Sequence, residues 1–464
     1  MADGADNSSR SNAYGATMIK AKEMTRNLLS ILKVCVLLMM PLLGQSVYAG
    51  NYPTNDDYLW VTIPDHNNWI YQVGQTAKVE VTLLKYGQPV TGKVDYSIGG
   101  DLQEADETGS LSLHNGRATA TIKSPKSAGF RDLRLRYADH GKTTVHHVKV
   151  AFSPDQIRPW TMEPADFDSY WTKEIAENEK TPMQYTMKKV EQYCNNAYDC
   201  YLVKLLVSPD RQYFYGYLTI LHGAKAGSCP VVLCPPGAGF RPIACTSKNN
   251  LYAAKNLIRF SFEIHGLGPS ISPADYNDIS NAFGGHYKDY LYHGLETRQG
   301  YYLHHVYLGL HRIIDFLTLL PEWDGKNVIA QGGSQGGALS LVAAGLDNRV
   351  TLCVVNHPAL SDMAANYGHR PSGYPHIKAS EGVLNDQTVK VLSYFDVVNF
   401  AKRVKAHTFM TWGFNDNTCP PTTSYAVWNS LTCDKESLIT PINEHWTSSV
   451  TDNYQVDWIA DHLR

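Results

Sequence analysis

The chain carries little charge for its length. Of 464 residues only 18% are charged, and 41 Lys and Arg against 44 Asp and Glu leave a net charge of −3. No basic tract lies in the body of the chain, which argues against nucleic acid as the main partner. There is no internal repeat and no low-complexity segment. No uninterrupted apolar run is long enough to span a bilayer, so no membrane span is expected in the mature chain. Despite 18 histidines, no His, Asp and Glu cluster has metal-ligand spacing, so neither metal nor cofactor is expected. Tyrosine is what the chain has in quantity: 29 of them, within an aromatic content of 11%. Tyrosine-rich surfaces often bind sugars or peptides.

Residues 1–49 read as an N-terminal extension and a signal peptide. Residues 1–17 are small and polar. Lys20, Lys22, Arg26 and Lys33 then precede an apolar run from Val34 to Leu43, and Val47-Tyr48-Ala49 has the small-x-small form of a cleavage site. Cleavage after Ala49 would make the protein periplasmic or secreted. Cys35 sits inside the apolar run and not at its end, unlike a lipoprotein cysteine. The other eight of the nine cysteines follow it, in a compartment that permits disulfides. Cys194 and Cys200 bracket a short loop and are the first pair to expect; the rest cannot be assigned.

Residues 50–152 alternate in polarity with period two. Lys78–Leu83, Lys93–Ile98, Arg117–Ile122, Leu133–Tyr137 and Thr144–Val150 read as strands, separated by turns at Gly87, Gly99-Gly100, Asn115-Gly116 and Gly141. This spacing predicts a small β-sandwich of immunoglobulin-like size. Nothing in it suggests chemistry. His146 and His147 point to opposite faces of one strand and make a poor metal pair. After a linker at Ser153–Pro159, strands and helices alternate through residues 153–464, which predicts an α/β domain with a mainly parallel sheet. The expected elements include a helix over Asp166–Glu179, strands at Tyr201–Ser208, Tyr213–Leu221, Val231–Cys234 and Ile258–Glu263, and a long helix near Tyr301–Leu320. Strands at Thr351–Val355, Thr408–Trp412 and Ser437–Thr440 and a helix near Asn453–Leu463 complete the chain.

Val328-Ile329-Ala330-Gln331-Gly332-Gly333-Ser334-Gln335-Gly336-Gly337 organises the second domain. It is an apolar strand, then Gly-x-Ser-x-Gly, then an apolar helix, the context of a nucleophile elbow. Serine needs a base held by an acid. In the α/β-hydrolase fold the chain order is Ser, then Asp or Glu, then His. Asp416 lies in the loop after the strand ending at Trp412, and His445 follows the strand ending at Thr440, so these are the catalytic candidates with Ser334. An oxyanion hole needs two convergent N–H groups, expected from Gln335 and from Ala238 in Pro235-Pro236-Gly237-Ala238-Gly239. Eight rings between the fourth strand and the long helix could stack on sugars or pack beneath a loop: Tyr276, Phe283, His286, Tyr287, Tyr290, Tyr292, Tyr301 and Tyr302.

From about Pro159 onward the chain resembles the acetylxylan esterase and cephalosporin C deacetylase family, carbohydrate esterase family seven. The matching residues are Pro164-Ala165-Asp166-Phe167-Asp168-Ser169-Tyr170-Trp171, Tyr301-Tyr302, Gly332–Gly337, Asp416 with Cys419-Pro420-Pro421, and His445. The resemblance implies an acetylated carbohydrate substrate, a Ser334-Asp416-His445 triad, and acetate release from acetylated xylan, xylo-oligosaccharides and related esters. There are departures. His265-Gly266-Leu267 stands where the family has Arg-Gly-Gln, Pro236-Gly237-Ala238 replaces a His-Gly-Tyr, and Glu444 precedes the histidine instead of following it. Two other readings share features of the sequence: a serine peptidase of the prolyl-oligopeptidase kind, and a non-catalytic sugar-binding protein. The first usually carries a large propeller, and a hundred or so residues are too few for one. The oligomeric state is open, a homo-oligomer included.

Overall fold

The computed structural model describes residues 57–210, 212–283 and 289–464. The expected leader over residues 1–49 lies outside the described residues, as do His286 and Tyr287. Trp60–Arg464 forms one compact unit.

The N-terminal part is all β. Its strands are β1 (Tyr58–Pro64), β2 (Ile70–Tyr71), β3 (Thr76–Lys85), β4 (Gln88–Pro89), β5 (Gly92–Gly100), β6 (Ala105–Leu113), β7 (Arg117–Lys123), β8 (Gly129–Asp139) and β9 (Lys142–Phe152). They form two sheets, one ordered β1-β3-β4 with β7 on β3, the other β2-β9-β8-β5-β6. Period-two patterning decides which face is inside. Val79, Val81 and Leu83 of β3 are buried, as are Val94 and Ile98 of β5 and Leu133 and Leu135 of β8. β6 has no counterpart among the expected strands. Its Ala-Asp-Glu-Thr-Gly-Ser-Leu-Ser sequence is mostly exposed and offers no apolar alternation to read.

The α/β part holds a nine-stranded mixed sheet. Its strands are β10 (Tyr185–Lys189), β11 (Tyr198–Leu206), β12 (Tyr213–Leu221), β13 (Cys229–Cys234), β14 (Ile258–Phe262), β15 (Trp323–Gly333), β16 (Val350–Asn356), β17 (His407–Trp412) and β18 (Lys435–Ile439). The order is β10-β11-β12-β14-β13-β15-β16-β17-β18. β10 to β12 and β14 join antiparallel at one edge, and the pairs from β14 through β18 are parallel. β13 is buried along its whole length, as expected of a strand covered on both faces.

The helices that position the site are α1 (Phe167–Asn178), α2 (Leu303–Thr318), α3 (Gln335–Leu346), α4 (Pro421–Ser430) and α5 (Ser449–Asp461). The expected long helix is two residues shorter at each end than its sequence range. Five α-helices were not expected: Asn249–Ala253, Pro273–Ala282, Asp386–Ser393, Val397–Ala401 and α4. Pro273–Ala282 is mostly exposed and lacks an apolar stripe, and it is started by a Ser272–Asp275 capping box. α4 is buried nearly all round, so it too lacks a helical period.

The expected Cys194–Cys200 pair is not formed. All eight described cysteines are free. The Cys194 sulfur instead accepts the Cys200 backbone N–H at 3.3 Å, and Cys200 Sγ lies 3.5 Å from Cys245 Sγ. Strand β11 points the Cys200 side chain across to the Cys245 segment, away from its near neighbour in sequence.

Candidate active site

Ser334 is the single residue between the end of β15 and the start of α3. Its backbone sits at φ 58, ψ −124, a conformation a residue with a Cβ adopts only under strain. That strain costs on the order of 1–3 kcal/mol and persists only where the surroundings fix it. Here Ser334 N–H donates to Asn356 O, and Ser334 O accepts from Ala338 N–H and Ala359 N–H, all at 3.0 Å. The flanking glycines are dictated by close backbone approach. A Cβ on Gly332 would lie 2.4 Å from the Gly336 carbonyl carbon, and one on Gly336 would lie 2.5 Å from Pro235 O. Backbone atoms cannot yield as a flexible side chain can.

Asp416 and His445, 29 residues apart, are brought together. His445 Nδ1 lies 2.8 Å from Asp416 Oδ2. The other carboxylate oxygen accepts the N–H groups of Thr418 at 2.7 Å and Cys419 at 2.8 Å. Asp416 is fully buried, whereas the His445 side chain is 27% exposed. A buried carboxylate fixed by two backbone donors offers its remaining oxygen as acceptor for an imidazole N–H. The Cys419 thiol, also buried, is close enough to Ser334 to interact with it, so the Asp416 loop reaches the serine as well. Burial and the Asp416 charge hold that thiol well above its ordinary range, and it stays protonated.

Gln335 is completely buried at the first position of α3, where backbone N–H groups have no partner within the helix. Ala238 is half-buried in the loop after β13. Tyr290 connects the two segments. Its hydroxyl bonds Gln335 Oε1 and accepts the Gly239 N–H at 3.4 Å. His357 packs on the other side, its ring centroid 4.3 Å from that of His445. Burial, and next the nearby His445, push His357 down to about 4, so it is neutral at physiological pH.

His265 stands in place of the arginine that the resemblance would supply. Burial lowers it to about 3, so it is uncharged, and its Nδ1 lies 2.7 Å from the Tyr302 hydroxyl. Its ring packs 4.3 Å from Phe240 and 4.9 Å from Tyr290. The neighbouring Glu263 meets the backbone N–H groups of Tyr215 and His265 instead of a cation. His265 therefore supports the Gly239 loop by packing. A cavity of about 340 Å³ borders this region, lined by Pro235, Gly239, His265, Gly332, Gly333 and Gln455. It touches the glycines of the turn but not Ser334 itself.

Folding also creates groupings that sequence spacing cannot show. The ligand atoms of His357, Asp416 and His445 lie within 4.8 Å of one another, and so do those of His407, Glu436 and His462. In the first group Asp416 and His445 are already engaged with each other. Among the rings, Tyr276, Tyr290 and Tyr301 are buried, and Tyr301 donates to Leu291 O at 3.0 Å. His357 was not legible as a site residue; Cys419 was read only as part of the family match beside Asp416, and Tyr290 only as one of eight rings. Only Cys419 had a local signal, its place three residues beyond Asp416.

The mixed sheet and the strand-turn-helix at Ser334 are of the α/β-hydrolase type found in esterases. The chain belongs to the acetyl xylan esterase family, whose model matches residues 155–462. It is a carboxylic ester hydrolase. It is 49% identical over 417 residues to acetyl esterase Axe7A of Xylanibacter ruminicola, covering 90% of this chain and 93% of that protein. Among solved structures, acetyl xylan esterase from Paenibacillus sp. R4 superposes with a TM-score of 0.59 at 26% identity, covering 67% of this chain and 98% of that one. Acetyl xylan esterase 1 from Thermoanaerobacterium sp. JW/SL YS485 shares the fold, with a TM-score of 0.58 at 22% identity over 66% and 97% of the two chains.

Proposed function

We propose that the protein removes acetyl groups from acetylated xylan or xylo-oligosaccharides through an acetyl-enzyme on Ser334. The carrying observation is the 2.8 Å contact between His445 Nδ1 and the buried Asp416 carboxylate, in a loop that also reaches Ser334. In this reading Asp416 holds His445 in the tautomer whose Nε2 is unprotonated. That nitrogen takes the Ser334 hydroxyl proton as Oγ attacks the acetyl carbonyl carbon. The carbonyl oxygen becomes an oxyanion and accepts from the N–H groups of Gln335 and Ala238. When the tetrahedral intermediate collapses, His445 Nε2 returns the proton to the departing sugar oxygen. Water, deprotonated by the same nitrogen, then releases acetate and restores Ser334. Neutral His357 suits this cycle, because a charged neighbour would oppose the transient imidazolium.

The all-β part is proposed as an immunoglobulin-like sandwich over residues 50–152, ahead of a catalytic domain over residues 153–464. The basic and apolar leader supports export to the periplasm or outside the cell, which protein sequencing of the mature N-terminus would test. Among the described residues no helix is long and apolar enough to cross a membrane. A homo-oligomer remains compatible with this proposal, and sedimentation would measure it.

The test compares p-nitrophenyl acetate, butyrate and octanoate with a proline-amide substrate, using wild type and Ser334→Ala. The proposal expects kcat/KM to fall sharply from acetate to butyrate, negligible octanoate hydrolysis, no amidase activity, and a dead variant. A maximum at octanoate would point to a lipid-type esterase, and proline-amide cleavage to a peptidase.

A further inference from the structure

The mechanism above leaves a fully buried cation of the all-β part unused. Lys149 of β9 is 0% exposed. Most of the start of β9 is exposed or half-buried, but every residue from Val148 to Phe152 is buried. Period-two geometry accounts for only one of the two faces by packing inside the sandwich. The other face, carrying His147, Lys149 and Ala151, meets the α/β part.

That face touches both loops proposed to carry catalysis. Lys149 Nζ donates to the Asp416 backbone carbonyl at 2.8 Å. The same Nζ lies 2.8 Å from Asp101 Oδ1, a charge contact without the alignment of a hydrogen bond. Asp101, just after β5, uses its other oxygen to accept from Thr422 N–H at 3.1 Å and the Thr422 hydroxyl at 2.7 Å. Those donors stand in the first turn of α4, where a carboxylate is favoured. Lys149 N–H donates to Asn415 Oδ1 at 2.9 Å, and Asn415 Nδ2 donates to Ile442 O at 3.3 Å. His147 Nε2 lies 3.9 Å from a carboxylate oxygen of Glu444, the residue before His445. Phe130 of β8 adds an edge-on ring contact with Phe414 at 5.0 Å.

We infer that Lys149, paired with Asp101, is a positioning residue that sets the register of the acid loop beneath His445, so the all-β part is a component of the active site. This rests on the proposed role of Asp416. The chemistry favours a cation here. The Asp416 carbonyl is a buried acceptor needing a donor, and only a charged Nζ can satisfy it while neutralising the Asp101 carboxylate that caps α4. A side chain without a donor would leave the carbonyl unpaired, the loop free to shift, and Asp416 Oδ2 out of line with His445 Nδ1. A misplacement of about 1 Å at such a site costs about 100-fold in rate.

The test uses the full chain carrying Lys149→Met together with Asp101→Asn, which removes both charges while Asn Oδ1 still accepts from Thr422. Near-ultraviolet circular dichroism checks folding. The expected result is a folded protein with kcat on an acetate ester down about 100-fold, KM little changed, and the downfield His445 Nδ1–H proton resonance broadened or lost. A folded double variant with wild-type kcat and an unaltered resonance overturns the inference. If the double variant does not fold, Asn415→Ala decides. It severs the loop from the Lys149 N–H without stranding a charge, and an unchanged kcat there is equally fatal. Asp416→Asn runs beside them. Wild-type turnover in that variant would defeat the role of Asp416, whereas its loss alongside an active Lys149/Asp101 variant would defeat only the positioning role.

Discussion

Replacing Asp416 with asparagine changes one atom, and the structure specifies how the site must respond. Asp416 Oδ1 accepts two backbone N–H groups, from Thr418 and Cys419, and Oδ2 faces His445 Nδ1. An amide nitrogen cannot sit against two N–H donors, so in Asp416→Asn the oxygen keeps the Oδ1 position and the NH₂ turns to His445. His445 Nδ1 must then accept instead of donate, and its proton moves to Nε2. The nitrogen that should take the Ser334 proton is thereby blocked, and no charge remains to stabilise the imidazolium. In a serine hydrolase with this arrangement the loss is on the order of 10⁴-fold in kcat, or about 5.5 kcal/mol in the barrier. The backbone donors to Oδ1 are unchanged and the side chain keeps its shape, so KM and the melting temperature should move little. Steady-state hydrolysis of p-nitrophenyl acetate measures the first, and a thermal melt checks the second. Retention of more than about a tenth of wild-type turnover would refute the tautomer argument, and the acid would have to be sought elsewhere.

Three further predictions follow from other parts of the molecule. Gly336→Ala pushes a Cβ against Pro235 O at 2.5 Å, so it should lower stability by about 1–3 kcal/mol and depress kcat by moving the Ala238 loop. A thermal melt and an ester assay both at wild-type values would contradict this. His311 is buried, which alone would lower it, but its contacts with Asp347 at 2.9 Å and Glu179 at 3.0 Å prevail and raise it above 6.5. A raised folded-state value means that its stabilisation is complete below 6.5 and is lost as pH rises through the folded value. The melting temperature should therefore fall more steeply as pH rises above 6.5 in wild type than in His311→Gln, and parallel curves would sink the idea. Mild oxidation with copper phenanthroline should join Cys200 to Cys245, whose thiol is lowered to about 7 by donation from Cys200 Sγ–H and then from Asn249. Peptide mapping that found Cys194 bonded to Cys200 instead would show the reading of β11 to be wrong.

Much of the architecture was legible because it is local. The alternation in Lys78–Leu83 and Lys93–Ile98 marks strands whose one face is buried, and the apolar run at Val231–Cys234 marks one buried on both. The Ser334 turn declares itself through Gly332 and Gly336, whose need for glycine comes from backbone contacts within a few residues or with the adjacent loop. The meeting of Asp416 and His445 was legible through chain order, since each follows a late parallel strand that delivers it to the same edge. What stayed hidden depends on contacts between distant segments. Lys149 lies in the expected strand Thr144–Val150, and nothing local says that both faces of that strand are covered. Tyr290 is one ring among eight until folding sets its hydroxyl against Gln335 and Gly239. The Cys194–Cys200 expectation followed loop spacing, and the side-chain direction imposed by β11 overrode it. His265 could be seen as a departure, but only its burial shows it to be an uncharged packing residue.

In the proposed cycle Ser334 carries the acetyl group between the two half-reactions. The most direct measurement mixes the enzyme with p-nitrophenyl acetate, quenches with acid within the first turnovers, and maps the digested protein by mass spectrometry. The account predicts an acetyl adduct on the peptide containing Ser334, formed with the burst of nitrophenol and absent from Ser334→Ala. An adduct on another residue, or full turnover by Ser334→Ala, would contradict it.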